Sequence, residues 1–321
     1  MYLRCKITLL FFMAMAEENI TQNSWFKRVE MPAYRQFLIL IGMVCVGFLL
    51  ASVLSFIIIT STSQVNLSNI AAGKNLSRPL MIWLLIIQDI FLFALPAFLF
   101  AKIVSIRNDY FYFKKTSSIN LWLIALLIAF AAMPASDFFS QINEWIPISK
   151  HLQSIFKAAE QQYNSQAIAI IDVKSLGGFI ISILIIALLP AIVEELVFRG
   201  SLQQVLLKWT EKAFPAILIT AIIFSAVHLS YYGFLPRVLL GVVLGYVYYY
   251  GKNIWLNMFV HFINNASVVT FLYISSRSKP IDPKMMDSAS APFYMQIIGI
   301  LVLIAALYSF SKNAKHQTNK L

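Results

Sequence analysis

Apolar residues run along this chain in long blocks, and polar residues are confined to short breaks between them. A helix crossing the hydrocarbon core needs about 20 mostly apolar residues. That length predicts eight spans, at roughly 37–60, 80–104, 119–139, 180–206, 213–233, 234–250, 254–274 and 291–310. The sixth is short, and its junction with the fifth falls around Gly233 and Pro236. Backbone in lipid must satisfy its own hydrogen bonds, so such spans are expected to be helices. The expected fold is all-α, a polytopic transmembrane helical bundle of about eight spans with a buried polar site. A polar or targeting segment, 1–36, precedes a transmembrane domain, 37–310, and a basic tail, 311–321, follows it. The one long connection, about 140–175, places Leu152, Ile155, Phe156 and Ala159 at helical spacing. That pattern fits a short amphipathic helix on the membrane surface, either a solvated connector or a cover over a substrate entrance.

Composition sharpens this picture. The chain is 60% hydrophobic and 12% charged, against about 25% charged in soluble domains. Its net charge of +11 is spread over short clusters between apolar runs. These are Lys27, Arg28 and Arg35; Lys102, Arg107, Lys114 and Lys115; and Lys312, Lys315 and Lys320. Cations so placed anchor topology against anionic lipid, and an even span count would put both ends on the cytoplasmic side. No basic helix or aromatic platform stands apart from the spans, so nucleic acid is not an expected partner. Cys5 and Cys45 are the two cysteines, and no structural disulfide is expected from them. The start, "MYLRCKITLLFFMAMA", has the outline of a signal peptide or of an upstream extension. Cleavage is not expected, because Lys27, Arg28 and Arg35 would then have to be translocated.

The informative residues are the ones that lipid penalises. Asp89, Asp137, Glu194 and Glu195 fall in or near spans, as do His228 and His261, whereas His151 and His316 lie in polar segments. On a helix, Glu195 and Arg199 stand at i, i+4 in the favourable order for an ion pair. Glu194 is turned about 100° away from Glu195, so one acid is neutralised while its neighbour faces elsewhere. His228 follows Phe224 by one turn, and Asn265 follows His261 by one turn. Taken singly, each is ordinary helix glue or a salt bridge. Converging from three helices, they would form a buried site with two carboxylates, two imidazoles, a guanidinium and an amide. Asp89, matched to no motif, reads as a packed polar contact.

"EELVFR" (Glu194 to Arg199), "FSAVH" (Phe224 to His228) and "HFINN" (His261 to Asn265) occur in that order. They resemble the EExxxR, FxxxH and HxxxN motifs of the CPBP intramembrane proteases, which include CAAX prenyl endopeptidases and bacterial Abi proteins. The resemblance implies an endopeptidase acting on membrane-anchored peptide or protein substrates. It implies that Glu194 activates water, that His228 holds that water and that Glu195 and Arg199 form the supporting pair. His261 and Asn265 would position the site and stabilise the oxyanion. A carboxylate in a dry site titrates nearer neutrality, as a base for water attack requires. Two Glu and two His would also suit zinc. HExxH is absent, however, and the sequence shows no second-shell carboxylates for both imidazoles. The expectation is a metal-free mechanism without a cofactor, with zinc as the alternative.

Two other functions are open at this level: a non-proteolytic immunity or scaffold protein, and a proton-coupled transporter. No internal repeat or pair of broken helices supports the transporter. The Ile-rich, Lys-rich style suggests a bacterial cytoplasmic membrane. Substrate, oligomeric state and the membrane face that admits substrate are not legible.

Overall fold

The structure is a computed structural model of the chain, and it describes residues 31–62, 76–105, 109–113, 118–171, 175–277 and 290–318. The signal-like start, Cys5 and the cations Lys27, Arg28, Arg107, Lys114, Lys115 and Lys320 lie outside the described residues.

Every element among the described residues is helical: α1 Ala33–Thr62, α2 Arg78–Val104, α3 Ile119–Trp145, α4 Lys150–Ile170, α5 Leu176–Thr210, α6 Ala213–Ala226, α7 Phe234–Gly251, α8 Ile254–Ser275 and α9 Phe293–Thr318. Seven of them are long and apolar enough to cross a membrane. The expected all-α polytopic bundle is present.

The fifth predicted span is the exception. The run 213–233 yields α6, which ends at Ala226 after 14 residues, roughly 21 Å at 1.5 Å per residue. That is short of the roughly 30 Å hydrocarbon core. Its apolar run continues, but the backbone does not: Leu229 adopts a left-handed φ of 52°, which no helix interior accommodates. The even span count, and the placement of both ends on one side that rested on it, therefore lose their support. His228 sits in the turn after α6 rather than inside a span.

Two of the spans are interrupted where proline demands it. Pro96 follows a π-turn at Ile90–Ala94 in α2, and Pro190 follows another at Ile183–Leu188 in α5. Proline lacks the N–H for an i→i−4 bond, and its ring crowds that carbonyl. The wider π-turn absorbs the misfit without ending the helix. A third π-turn, Phe198–Gln203, closes the other side of Glu194 and Glu195. There the Ser201 hydroxyl donates to the Leu196 carbonyl at 2.9 Å.

At the centre, α7 packs against α3, α6, α8 and α9. Close approach to α6 is possible because "GVVLG" carries glycine at 241 and 245, the small-xxx-small spacing of tightly packed membrane helices. A methyl on Gly241 would lie 2.7 Å from the Ala221 Cβ, and one on Gly245 would lie 2.8 Å from Gln203 and Ile217 atoms. Asp137, one of the four intramembrane acids, accepts from the Ala291 N–H at 2.8 Å and so pins the approach to α9. Cys45 is a free thiol.

The connection 140–175 does contain the expected amphipathic helix, α4, begun by a Ser149 cap that accepts from the Leu152 N–H. Phe156 stacks flat on Tyr231, with centroids 4.6 Å apart. Leu152 and Ile155 stay exposed.

Substitution of Gly241 by Ala is expected to destabilise the protein by about 1–3 kcal/mol through overpacking against α6. Gly42 in α1 has open space around it, so Gly42→Ala should be neutral or stabilising by up to about 1 kcal/mol. Thermal unfolding of both variants in detergent checks the contrast.

Candidate active site

Three elements deliver the motif residues to one place. Helix α5 carries Glu194 and Glu195 between two of its π-turns and Arg199 within the second, the turn after α6 carries His228, and α8 carries His261 and, one turn on, Asn265. Glu195 and Arg199 are completely buried. The Arg199 Nη1 donates to Glu195 Oε1 at 2.6 Å, as the i, i+4 spacing predicts.

Glu195 is the most heavily bonded group of the site. Its Oε1 also accepts from His261 Nδ1 at 2.9 Å, and its Oε2 from Asn257 Nδ2 at 3.4 Å. The partners reach further: Arg199 Nη2 donates to the Gly241 carbonyl at 3.2 Å, and Asn257 Nδ2 to the Leu244 carbonyl at 2.5 Å. One carboxylate thus ties α5, α7 and α8 together.

Glu194 is treated differently. It makes no hydrogen bond among the described residues, and His261 Nε2 lies 3.8 Å from its Oε2. Its side chain keeps 11% of its surface exposed while that of Glu195 keeps none. The predicted division between a neutralised acid and an open one is what the geometry contains.

The aromatic ring of Phe224 organises the rest. Arg199 lies over it with Cζ 4.6 Å from the centroid, a cation–π contact that partly compensates an Arg199 Nε with no hydrogen-bond acceptor. The His228 and His261 rings meet it edge to face at 5.0 and 5.9 Å. His228 Nδ1 donates to the Phe224 carbonyl at 2.7 Å, since a carbonyl can only accept. His261 Nδ1 is likewise committed to a carboxylate. With Nδ1 so committed, an imidazole in its neutral form at either position presents Nε2 as a lone pair. Asn265, one turn beyond His261 on the same face, makes no side-chain hydrogen bond among the described residues.

Each imidazole thus has a supporting Nδ1 partner, a carboxylate in one case and a carbonyl in the other, which the sequence did not reveal. Even so, among the described residues no three His, Cys, Asp or Glu side chains are grouped as a metal site.

Sequence reasoning missed Asn257, although it stands one turn before His261 and the same spacing rule would have found it. It also missed Arg237, which acts electrostatically on both Glu194 and His228. Arg237 lies near the Tyr163 ring of α4, at 5.7 Å. Ser230, two residues after His228, donates to Glu160 of α4 at 2.7 Å. With the Phe156–Tyr231 stack, these contacts brace the His228 turn from outside. Neither sequence separation nor periodicity could have paired α4 with that turn.

The described residues thus form a helical protein with seven candidate membrane spans that gathers carboxylates, imidazoles and a guanidinium into one cluster. Comparison with known families makes this specific. Residues 176–267, which contain all three motifs, match the model of the Rce1-like family, described as "Type II CAAX prenyl endopeptidase Rce1-like". Neither curated proteins nor solved structures gave a match. The segment that builds the site is thus similar to the Rce1-like endopeptidases, in line with the resemblance of its motifs.

Replacing Arg199 by Leu strands the Glu195 charge and should cost about 3–5 kcal/mol. Glu194→Gln removes no hydrogen bond among the described residues and should stay within about 1 kcal/mol of wild type. Denaturant or thermal unfolding in detergent reads both, and equal losses would contradict the division of labour between the two acids.

Proposed function

We propose that the chain is an intramembrane endopeptidase that hydrolyses membrane-anchored protein or peptide substrates with water activated by Glu194. The observation that carries this reading is the contrast between neighbouring carboxylates: Glu195 accepts from three donors, whereas Glu194 accepts from none among the described residues and lies 3.8 Å from His261 Nε2.

In this mechanism Glu194 takes a proton from water as the water oxygen bonds to the scissile carbonyl carbon. The carbonyl π pair moves onto oxygen. Collapse of the tetrahedral adduct breaks the C–N bond, and Glu194 returns the proton to the leaving amine. The Nε2 lone pairs of His228 and His261 are suited to hold the water by accepting from it. Asn265, with no side-chain partner among the described residues, supplies an amide donor for the oxyanion. A donor of that kind is worth about 3–4 kcal/mol in a preorganised site. Glu195 and Arg199 fix His261 and keep the local charge balanced. No step requires a metal or other cofactor. The Ile- and Lys-rich composition favours a bacterial cytoplasmic membrane as the location in this reading, with peptides or proteins anchored in the same bilayer as substrates.

The test is cleavage of membrane-anchored peptide libraries by the full-length protein in liposomes, with and without a chelator. Glu194→Ala and His228→Ala are each expected to lower turnover by about 100-fold or more, and the chelator to leave the wild type unaffected. Chelator inactivation reversed by zinc would replace the metal-free mechanism. Correctly folded variants as active as wild type would remove these residues from the chemistry.

A further inference from the structure

Asp89 is a buried acid that the mechanism leaves unused. It closes the first α-helical stretch of α2 and opens the π-turn Ile90–Ala94. It is 7% exposed, and its Oδ2 has no hydrogen-bond partner among the described residues. The sequence suggested a packed polar contact, but no described donor satisfies this oxygen and no ion pair includes the residue. Helix glue and a structural salt bridge both need a partner, so neither explains it.

Its surroundings do. The Asp89 stretch and the π-turn after it both pack against the part of α5 that carries Glu194, and Asp89 lies within electrostatic reach of the Glu194 carboxylate. The π-turn has a cause in Pro96, and such turns recur where a helix must aim a functional group. Two neighbouring carboxyl groups out of water repel one another when both are ionised. A buried carboxylate oxygen without a donor is expensive. One shared proton donor relieves both costs.

We propose that Asp89 is a third acid of the site, a positioning residue that accepts a hydrogen bond from a proton or water shared with Glu194. The proposal rests on Glu194 as the base. When Glu194 takes the proton from the attacking water, the new carboxylic O–H donates to Asp89. When the amine leaves, that proton passes from Glu194 to the amine nitrogen, and Asp89 ends the cycle as it began. No bond to Asp89 forms or breaks.

The experiment uses full-length protein in liposomes, with Asp89→Asn, Asp89→Leu and Glu194→Gln variants. Infrared spectra in H2O and D2O read the carbonyl stretch of protonated carboxyl groups. A band that shifts on deuteration and changes in both Asp89→Asn and Glu194→Gln is the expected result. A spectrum in which each substitution removes an independent band, or neither changes one, overturns the proposal. On the peptide library, Asp89→Asn should lower kcat by at least about tenfold, the value of one hydrogen bond to a charged group. KM and thermal stability should stay at wild-type values, and Asp89→Leu should lose at least as much kcat as Asp89→Asn. Wild-type kcat in Asp89→Asn, or losses confined to stability and KM, would reduce Asp89 to a structural residue. The infrared arm does not depend on cleavage. Coupled bands in a protein that cleaves nothing would therefore uphold the carboxyl pair and sink the protease reading, whereas cleavage with uncoupled bands would do the reverse.

Discussion

A guanidinium and a carboxylate can be taken out of water only if nearly all of their hydrogen-bonding groups find partners, and the centre of this bundle is arranged around that requirement. Arg199 and Glu195 meet within one helix, but the pair is completed from outside it, by His261 and Asn257 of α8 and by the Gly241 carbonyl of α7. The demand fixes how closely α7 must approach, and Gly241 against Ala221 of α6 and Gly245 against Ile217 of α6 and Gln203 of α5 leave room for that packing. Loss of either charge would strand the other and unfasten three helices together.

The same arrangement gives the two neighbouring acids different surroundings. Because Glu195 absorbs the available donors, Glu194 one residue along is left open, and His261 is held with its Nε2 toward that acid. Helical rotation of about 100° per residue turns two adjacent, identical side chains into groups with different environments. Phe224 serves both, its face under Arg199 and its carbonyl holding His228 in the tautomer with a free Nε2. The ring occupies space that water would otherwise fill, which strengthens every charge interaction around it.

Irregular backbone concentrates around the site. The π-turns of α5 bracket Glu194 and Glu195, that of α2 begins directly after Asp89, and His228 stands in a turn beside the left-handed Leu229. Unconventional backbone survives at such depth where protein, not lipid, surrounds it. The brace from α4 onto the His228 turn extends this principle outward, since Glu160 and Phe156 hold a segment that has no helix of its own.

The sequence by itself determined the helical class, the approximate spans, the Glu195–Arg199 pair and the motif residues, because each depends on spacing within one helix or on the length of an apolar run. Amphipathic α4 was legible for the same reason. What only the tertiary structure decided depends on distance between helices. The end of α6 at Ala226 was hidden, since apolar residues continue past a backbone that does not. Asn257 as a partner of Glu195, the lattice of α7 carbonyls, the α4 brace and the packing of the Asp89 stretch against the Glu194 segment all join different elements, the bonded pairs standing 42 to 70 positions apart. Periodicity reports which face a side chain occupies. Which face it meets is set by packing, and that is known only when the bundle is assembled.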